Sequence, residues 1–214
     1  MDDILLIDKP KGITSFDVIR ILRKKLGIRK MGHAGTLDPA ATGLLIIGIE
    51  KGTKKLEEYL GLDKTYEMDI LFGIKTDSGD MDGKIIEEKK VEKIDLEKLE
   101  KILENLVGEK ELEVSVYSAI KLKGKPLYKY ARAGEKVESP KRIMKIISLK
   151  FLPEGSNLSK NILRVEMRCG KGTYARSVGE EIGRQLGYPA TLSDLRRTSI
   201  GDFKVEDAKK LEDI

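Results

Sequence analysis

The chain's 214 residues make one substantial domain and exclude three independent ones, and 40% hydrophobic with 36% charged residues supports a filled core while excluding the disordered class. A single cysteine, Cys169, excludes an intramolecular disulfide, a single histidine, His33, excludes a histidine cluster for zinc, and the longest apolar run that matters, residues 44–49, is about a third of a bilayer crossing. With a net charge of +5 the reactive groups present in number are Asp, Glu, Tyr, Lys and Arg, and an N-terminus opening on Asp2 and Asp3 rather than a basic signal segment makes a cytoplasmic protein the expectation.

Along the chain, residues 4–7 predict a short buried strand, followed by the Pro10, Lys11, Gly12 turn. A helix then starts, capped by Thr14 or Ser15, with Val18, Ile19, Leu22 and Leu26 as its apolar stripe and Gly27 as its stop. Residues 44–49 predict a core strand and 53–60 a second helix. Residues 65–72 and 84–88 read as strands, and Asp95 caps a third helix carrying Leu96, Leu99, Ile102, Leu103 and Leu106. Residues 111–122, 143–152 and 162–169 read as three further strands, 173–186 as a helix ending at Gly187, and 206–214 as a short terminal helix. Strands outnumber helices and do not alternate regularly with them. The expected fold class is therefore α+β, a mixed, largely antiparallel central sheet flanked by helices, with no repeat or linker to mark a domain boundary.

Charge is unevenly spread. Residues 77–113 hold 13 acids against 7 lysines, whereas residues 114–176 hold 15 lysines and arginines against 4 acids. In the basic stretch Lys121, Lys123, Lys125, Lys129 and Arg132 lie among Tyr117, Tyr128 and Tyr130, a pattern suited to tracking phosphates with stacking groups and equally to a solvated lysine-rich face. The acidic stretch reads as an outward face or a peripheral insertion, not as part of a polyanion site.

The most unusual segment is residues 32–43, in which Gly32, Gly35 and Gly43 allow positive φ and close approach to a ligand. Asp38 precedes Pro39, which pushes its backbone toward an extended form and presents the carboxylate from a stiffened turn, as a fixed nucleophile or base requires. On local pattern alone, an Asp-Pro turn capping the next element is the simpler account. Neither this segment nor Gly170, Lys171, Gly172, Thr173 has the spacing of a Walker phosphate loop. Asp80, Asp82 and Gly83 echo a calcium loop, but its first and last ligand positions would be Ser78 and Lys89.

Written G-H-A-G-T-L-D-P-x-A-T-G, residues 32–43 closely resemble the signature of bacterial TruB-type tRNA pseudouridine synthases, which isomerise the T-loop uridine at tRNA position 55. Other segments agree in order. Asp8, Lys9, Pro10, Lys11, Gly12, Ile13, Thr14, Ser15 resembles the family's K-P-x-G-x-T-S opening, Lys64, Thr65, Tyr66 its K-x-Y, and Thr76, Asp77, Ser78, Gly79, Asp80 with Gly83 its acidic turn. Tyr117, Ser118, Ala119, Ile120, Lys121 with Gly124, Leu127, Tyr128, Tyr130, Ala131 and Arg132 resembles its RNA-facing insertion, and Lys171 to Ser177 with Leu195, Arg196 and Arg197 completes the set. Ser115 and Val116 stand where the family usually has prolines.

The resemblance implies the pseudouridine synthase fold over residues 1–214 and a peripheral RNA-facing insertion around 117–140; family members commonly continue into a C-terminal RNA-binding PUA domain, and the expectation for this chain, as a departure from the family, is that it has none. It implies tRNA, through its T-arm stem-loop, as the partner of a monomer needing no protein partner, no metal and no other cofactor. Asp38 is then the nucleophile and Arg176 the cation that keeps it ionised, since burial alone would raise its pKa. Tyr66 packs on the flipped base and helps move the C5 proton, Leu195 closes the apolar side and Tyr174 lines the pocket. His33 holds the tRNA loop open, Lys64 binds phosphate or buttresses the Asp38 loop, and Lys121, Lys123, Lys125 and Arg132 face the RNA. Without the resemblance, Tyr66 reads as a half-buried strand tyrosine, Arg176 as a surface helix residue and Cys169 as a small buried apolar residue. The rival functions are a non-catalytic RNA-remodelling module and a Mg²⁺-dependent nuclease built on Asp77, Asp80 and Asp82, with a Ser-His-Asp hydrolase weaker still.

Overall fold

The structure, a computed structural model, describes residues 4–118, 120–135 and 137–214; Ala119 of the insertion motif and the Arg132 side chain lie outside what it describes. In chain order these residues form β1 (Ile4–Lys9), α1 (Ser15–Leu26), β2 (Met31–Ala34), β3 (Thr42–Ile49), α2 (Leu56–Gly61), β4 (Lys64–Phe72), β5 (Ile74–Thr76), β6 (Ile85–Glu88), α3 (Leu96–Leu106) and β7 (Gly108–Glu113). They continue with β8 (Lys121–Leu122), β9 (Lys125–Pro126), α4 (Leu127–Arg132), β10 (Lys141–Asn157), β11 (Ile162–Cys169), α5 (Ala175–Leu186), β12 (Ala190–Ile200), β13 (Phe203–Lys204) and β14 (Lys209–Lys210). The α+β class with a large, mostly antiparallel sheet is as expected. Two compact units divide the chain, the first holding residues 4–67, 167–171 and 194–214, the second 68–166 and 172–193.

In the first unit β3 is the spine. Leu45, Ile47 and Ile49 pack with Ile7, Val18, Ile19, Leu22 and Met31, while Leu44 and Ile46 pack with Ala34, Ile200 and Val205 on the opposite face. Both faces are covered, so the strand reads as an unbroken apolar run instead of an alternation. β1 pairs antiparallel with it, from Ile4 opposite Gly48 to Lys9 opposite Gly43. α1 begins with a capping box in which the Thr14 hydroxyl accepts from the Asp17 amide at 3.0 Å and the Asp17 carboxylate accepts from the Thr14 amide at 3.0 Å. It ends at Gly27 in the left-handed conformation, φ 70°, as the sequence predicts.

In the second unit α3 carries Leu99, Ile102, Leu103 and Leu106 inward, capped by Asp95, and β7 pairs antiparallel with β10. α5 lies close over the start of β12. A Cβ on Gly183 would stand 2.3 Å from Ala190 Cβ, and one on Gly179 2.7 Å from Leu192 Cδ2.

Several elements differ from expectation. The strand over 111–122 stops at Glu113: the Ser115 hydroxyl accepts from the Tyr117 amide at 3.1 Å, turning the chain before the β8–β9 hairpin. The terminal helix over 206–214 is instead two 3₁₀ turns around β14, which pairs parallel with β1. Val205 and Ala208 pack on one face of β3 and Leu211 and Ile214 on the other, so no single helical stripe serves the segment, and so short a segment gains more from β1 than from an isolated helix. The segment 50–61 divides into a 3₁₀ stretch, Glu50–Lys55, and α2. β2, α4 and β12 were not foreseen.

Gly43 sits at φ 101°, and a Cβ there would lie 2.2 Å from the Arg197 carbonyl oxygen, because β3 and β12 run side by side at this point. Gly43→Ala is expected to cost about 3 kcal/mol through backbone strain and overpacking, read as a lower urea midpoint.

Candidate active site

Residues 37–41 form a turn held from outside. The Ser15 hydroxyl, at the start of α1, donates to the Leu37 carbonyl at 3.1 Å and accepts from the Leu37 amide at 2.9 Å. The Pro39 carbonyl accepts from the Gly12 amide at 2.8 Å and from the Lys9 ammonium at 3.3 Å, and the Ala41 amide donates to the Asp38 carbonyl at 3.1 Å. Asp38, half-buried, therefore stands between two residues whose backbones are pinned. Lys9 itself is fully buried and donates further to the carbonyls of Pro10 at 2.9 Å and Ile13 at 2.8 Å. Loss of water lowers its pKa to about 8, against the pull of the Asp38 carboxylate and with the help of the Arg197 charge.

Arg197 is the second organising group. It is 1% exposed, donating through Nε to the Leu44 carbonyl at 2.7 Å and through Nη2 to the Gly35 carbonyl at 2.8 Å. β12 pairs with β3 at Thr42 and Gly43 and β2 pairs with it at Ile46–Ile49, so the guanidinium supplies donors in the stretch between. Arg196, on the opposite face of β12, forms a two-pronged pair with Asp8 at 3.0 and 2.7 Å.

This buried cation acts on its neighbours. The His33 imidazole is pushed below its ordinary range, first by burial and then by Arg197, and its Nδ1 is buried without a partner. Burial raises the Tyr66 hydroxyl, while Arg197 opposes the rise by its charge and by a hydrogen bond, and Asp38 adds to it. At neutral pH the unit presents an uncharged phenol, a neutral imidazole and the Asp38 carboxyl. Lys64, on the same face of β4 as Tyr66, donates to the Leu60 carbonyl at 2.8 Å and to that of Leu62, so it secures the end of α2. Leu195 is half-buried on the face of β12 that carries Arg197.

In the second unit three motifs meet at Arg176. The residue opens α5, is 8% exposed, and donates to the carbonyls of Ser78 at 2.8 Å and Tyr117 at 3.3 Å while standing 3.6 Å from the Asp80 carboxylate. The Tyr117 hydroxyl donates to Asp77 at 3.0 Å, Asp77 accepts from the Lys84 amide at 2.9 Å, and Asp80 accepts from the Asp82 amide at 3.2 Å. These carboxylates order the turn and the arginine, and among the described residues no three acidic, His or Cys side chains converge as a metal cage. The nuclease alternative loses its cluster. Arg176 is likewise no surface helix residue.

Within the insertion, Lys123 and Gly124 take positive φ, 51° and 82°, and close the β8–β9 hairpin. Lys125 forms an ion pair with Glu135 at 2.7 Å and lies 4.1 Å from the Tyr130 ring centroid, whose hydroxyl donates to the Leu122 carbonyl at 3.0 Å. Lys125 thus staples the hairpin to α4, whereas Lys121 and Lys123 are exposed.

The family model described as TruB family pseudouridylate synthase (N terminal domain) matches residues 23–175. The chain belongs to the TruB family. It is 43% identical over 217 aligned positions to the tRNA pseudouridine synthase B of Geobacillus kaustophilus, covering 100% of this chain and 76% of that protein. With the tRNA pseudouridine synthase B of Endomicrobium trichonymphae it shares 42% identity, covering 100% of this chain and 91% of the relative. Among solved structures, a chain from "Structure of H/ACA RNP bound to a substrate RNA containing 2'-deoxyuridine" superimposes with a TM-score of 0.72 at 25% identity over 98% of this chain, which spans 51% of that one.

Of the residues expected at the site, Asp38, His33, Lys64, Tyr66 and Leu195 belong to the first unit of this TruB-family chain, and Arg176, Tyr174, Lys121, Lys123 and Lys125 to the second. Sequence reasoning assigned no site role to Lys9, Ser15 or Arg197, although each stands in a motif it quoted. Neither Lys9 nor Arg197 stood in a strand that the sequence predicted, since the first strand was expected to end at residue 7 and β12 was not foreseen, so their burial carried no signal in the pattern.

Because the folded chain holds the Lys9 proton only to about pH 8 and the unfolded chain to 10.5, the unfolded state binds more protons between them and folding is favoured as pH rises through that window. The stability of the parent relative to Lys9→Met should therefore increase from pH 8 to 10.5, by at most about 1.4 kcal/mol per pH unit, in urea titrations.

Proposed function

We propose that this TruB-family enzyme is a tRNA pseudouridine synthase that isomerises the T-loop uridine at position 55, with Asp38 as nucleophile. The observation that carries the reading is the pinning of Leu37 and Pro39 on either side of Asp38, beside an uncharged Tyr66. Preorganisation of this kind is worth several kcal/mol in a reaction that needs one carboxylate at one place.

The reaction breaks the bond between ribose C1′ and uracil N1, turns the base, and joins C1′ to C5. C5 then gives up its proton and N1 gains one, so nothing is consumed. The uridine is flipped from the T loop to reach the carboxylate. Tyr66 packs on the turned ring, and its phenol, kept neutral by burial, relays the C5 proton. Leu195 and Tyr174 bound the ring, and His33, neutral and half-buried, occupies the space from which the base leaves. Arg176, buried and held by the Ser78 and Tyr117 carbonyls, is the guanidinium assigned to the nucleophile, a role that rests on the family resemblance. Exposed Lys121 and Lys123 carry phosphates, with Arg132 further along the same insertion. Residues 1–214 act as the catalytic domain, in the cytoplasm and as a monomer.

The test uses unmodified tRNA tritiated at uridine C5, in EDTA. The parent should release label and Asp38→Asn should release none while still binding tRNA; release by Asp38→Asn within tenfold of the parent removes Asp38 from the mechanism. Arg176→Lys should fall by more than tenfold, since an ammonium cannot reproduce the planar fork through which Arg176 reaches the Ser78 and Tyr117 carbonyls with separate nitrogens. Neutralising Lys121 and Lys123 together should flatten the slope of log affinity against log salt by about 0.7 to 0.9 per residue.

A further inference from the structure

We infer a second RNA contact on α1, outside the insertion, where Phe16 stacks on an unpaired base of the substrate; this rests on the reading of the substrate as tRNA. The buried face of α1 carries Val18, Ile19 and Leu22, and Phe16 points elsewhere, 48% exposed. The ring lies outside the core that Val18, Ile19 and Leu22 enter. Two arginines frame it: Arg20 Cζ lies 5.2 Å and Arg23 Cζ 5.8 Å from its centroid. Guanidinium groups over an aromatic face form the kind of platform on which nucleobases stack, with the cations at hand for the phosphates.

Charge supports this occupant. Between Phe16 and Lys30 the chain has six cations, Arg20, Arg23, Lys24, Lys25, Arg29 and Lys30, against one acid, Asp17, which pairs with Arg20 at 2.8 Å. A fixed point links the platform to the site: Arg23 Nη2 donates to the Met31 carbonyl at 3.2 Å, at the first residue of β2, two residues before His33. Arg29 and Lys30 are exposed and complete the path along the chain from Phe16 toward His33. A surface of this charge with an exposed aromatic ring fits a single-stranded, splayed nucleotide better than a paired helix, whose bases are stacked on each other.

The chain contains no tryptophan, so Phe16→Trp places one fluorophore on the platform. Unmodified tRNA should quench it, with a midpoint matching the dissociation constant from filter binding, and a fully paired RNA duplex of equal length should quench it much less. Phe16→Ala should weaken tRNA binding roughly tenfold, near the low end for loss of one stacked base. Equal quenching by the duplex, or no quenching by tRNA together with Phe16→Ala affinity within twofold of the parent, overturns the contact. Tritium release by the parent is measured in parallel: quenching without release supports the platform and counts against the isomerase reading, whereas release without quenching does the reverse.

Discussion

A carboxylate on a loop becomes a nucleophile only when its backbone has nowhere else to go. Here one short segment supplies that constraint. Gly12 and Lys9 hold the Pro39 carbonyl, and one Ser15 hydroxyl closes both backbone groups of Leu37. Residues 9–15 lead from β1 into α1, and both elements are seated in the core around β3. The apolar packing of Ile7, Val18 and Leu22 therefore fixes the anchors, and the anchors fix Asp38. Burying the Lys9 ammonium is the price, visible in its pKa of about 8.

Arg197 plays the matching role on the other side of β3. Donating to the Leu44 and Gly35 carbonyls where two strands meet the same edge, it satisfies acceptors that would otherwise be buried, and its charge acts on His33, Lys64 and Tyr66. The glycines around it serve this packing. A Cβ on Gly35 would stand 3.2 Å from the guanidinium, and Gly43 meets the Arg197 backbone. The sequence suggested that these glycines admit a ligand, whereas at Gly43 they admit a neighbouring strand.

Elements that bury apolar side chains were legible: the α1 stripe with its cap and stop, β3, the face of α3 and the bounds of β11 all follow from periodicity. β12 was not, because several residues that the fold shelters there are polar. Arg197 is buried by carbonyls and Thr191 by a hydroxyl partner, Thr76, at 3.0 Å, and hydropathy reads neither as strand. β2 was hidden for the opposite reason, since Gly32 faces Gly48 across the ladder and glycine carries no propensity for it. At the site, the motifs named Asp38, Tyr66 and Arg176, and only folding separates Lys125, tied to Glu135 and Tyr130, from its exposed neighbours Lys121 and Lys123.

The central claim is that the position of Asp38 is imposed by its anchors, and the single-turnover rate of Ser15→Ala on saturating tRNA tests it most directly. That change removes one oxygen, buried and remote in sequence, and frees both backbone groups of Leu37. A displacement near 1 Å at a reacting group lowers a rate by about a hundredfold. The rate should fall by tenfold or more while tRNA affinity stays within threefold of the parent; a rate equal to that of the parent would mean that Asp38 is held by something other than the segment between β1 and α1.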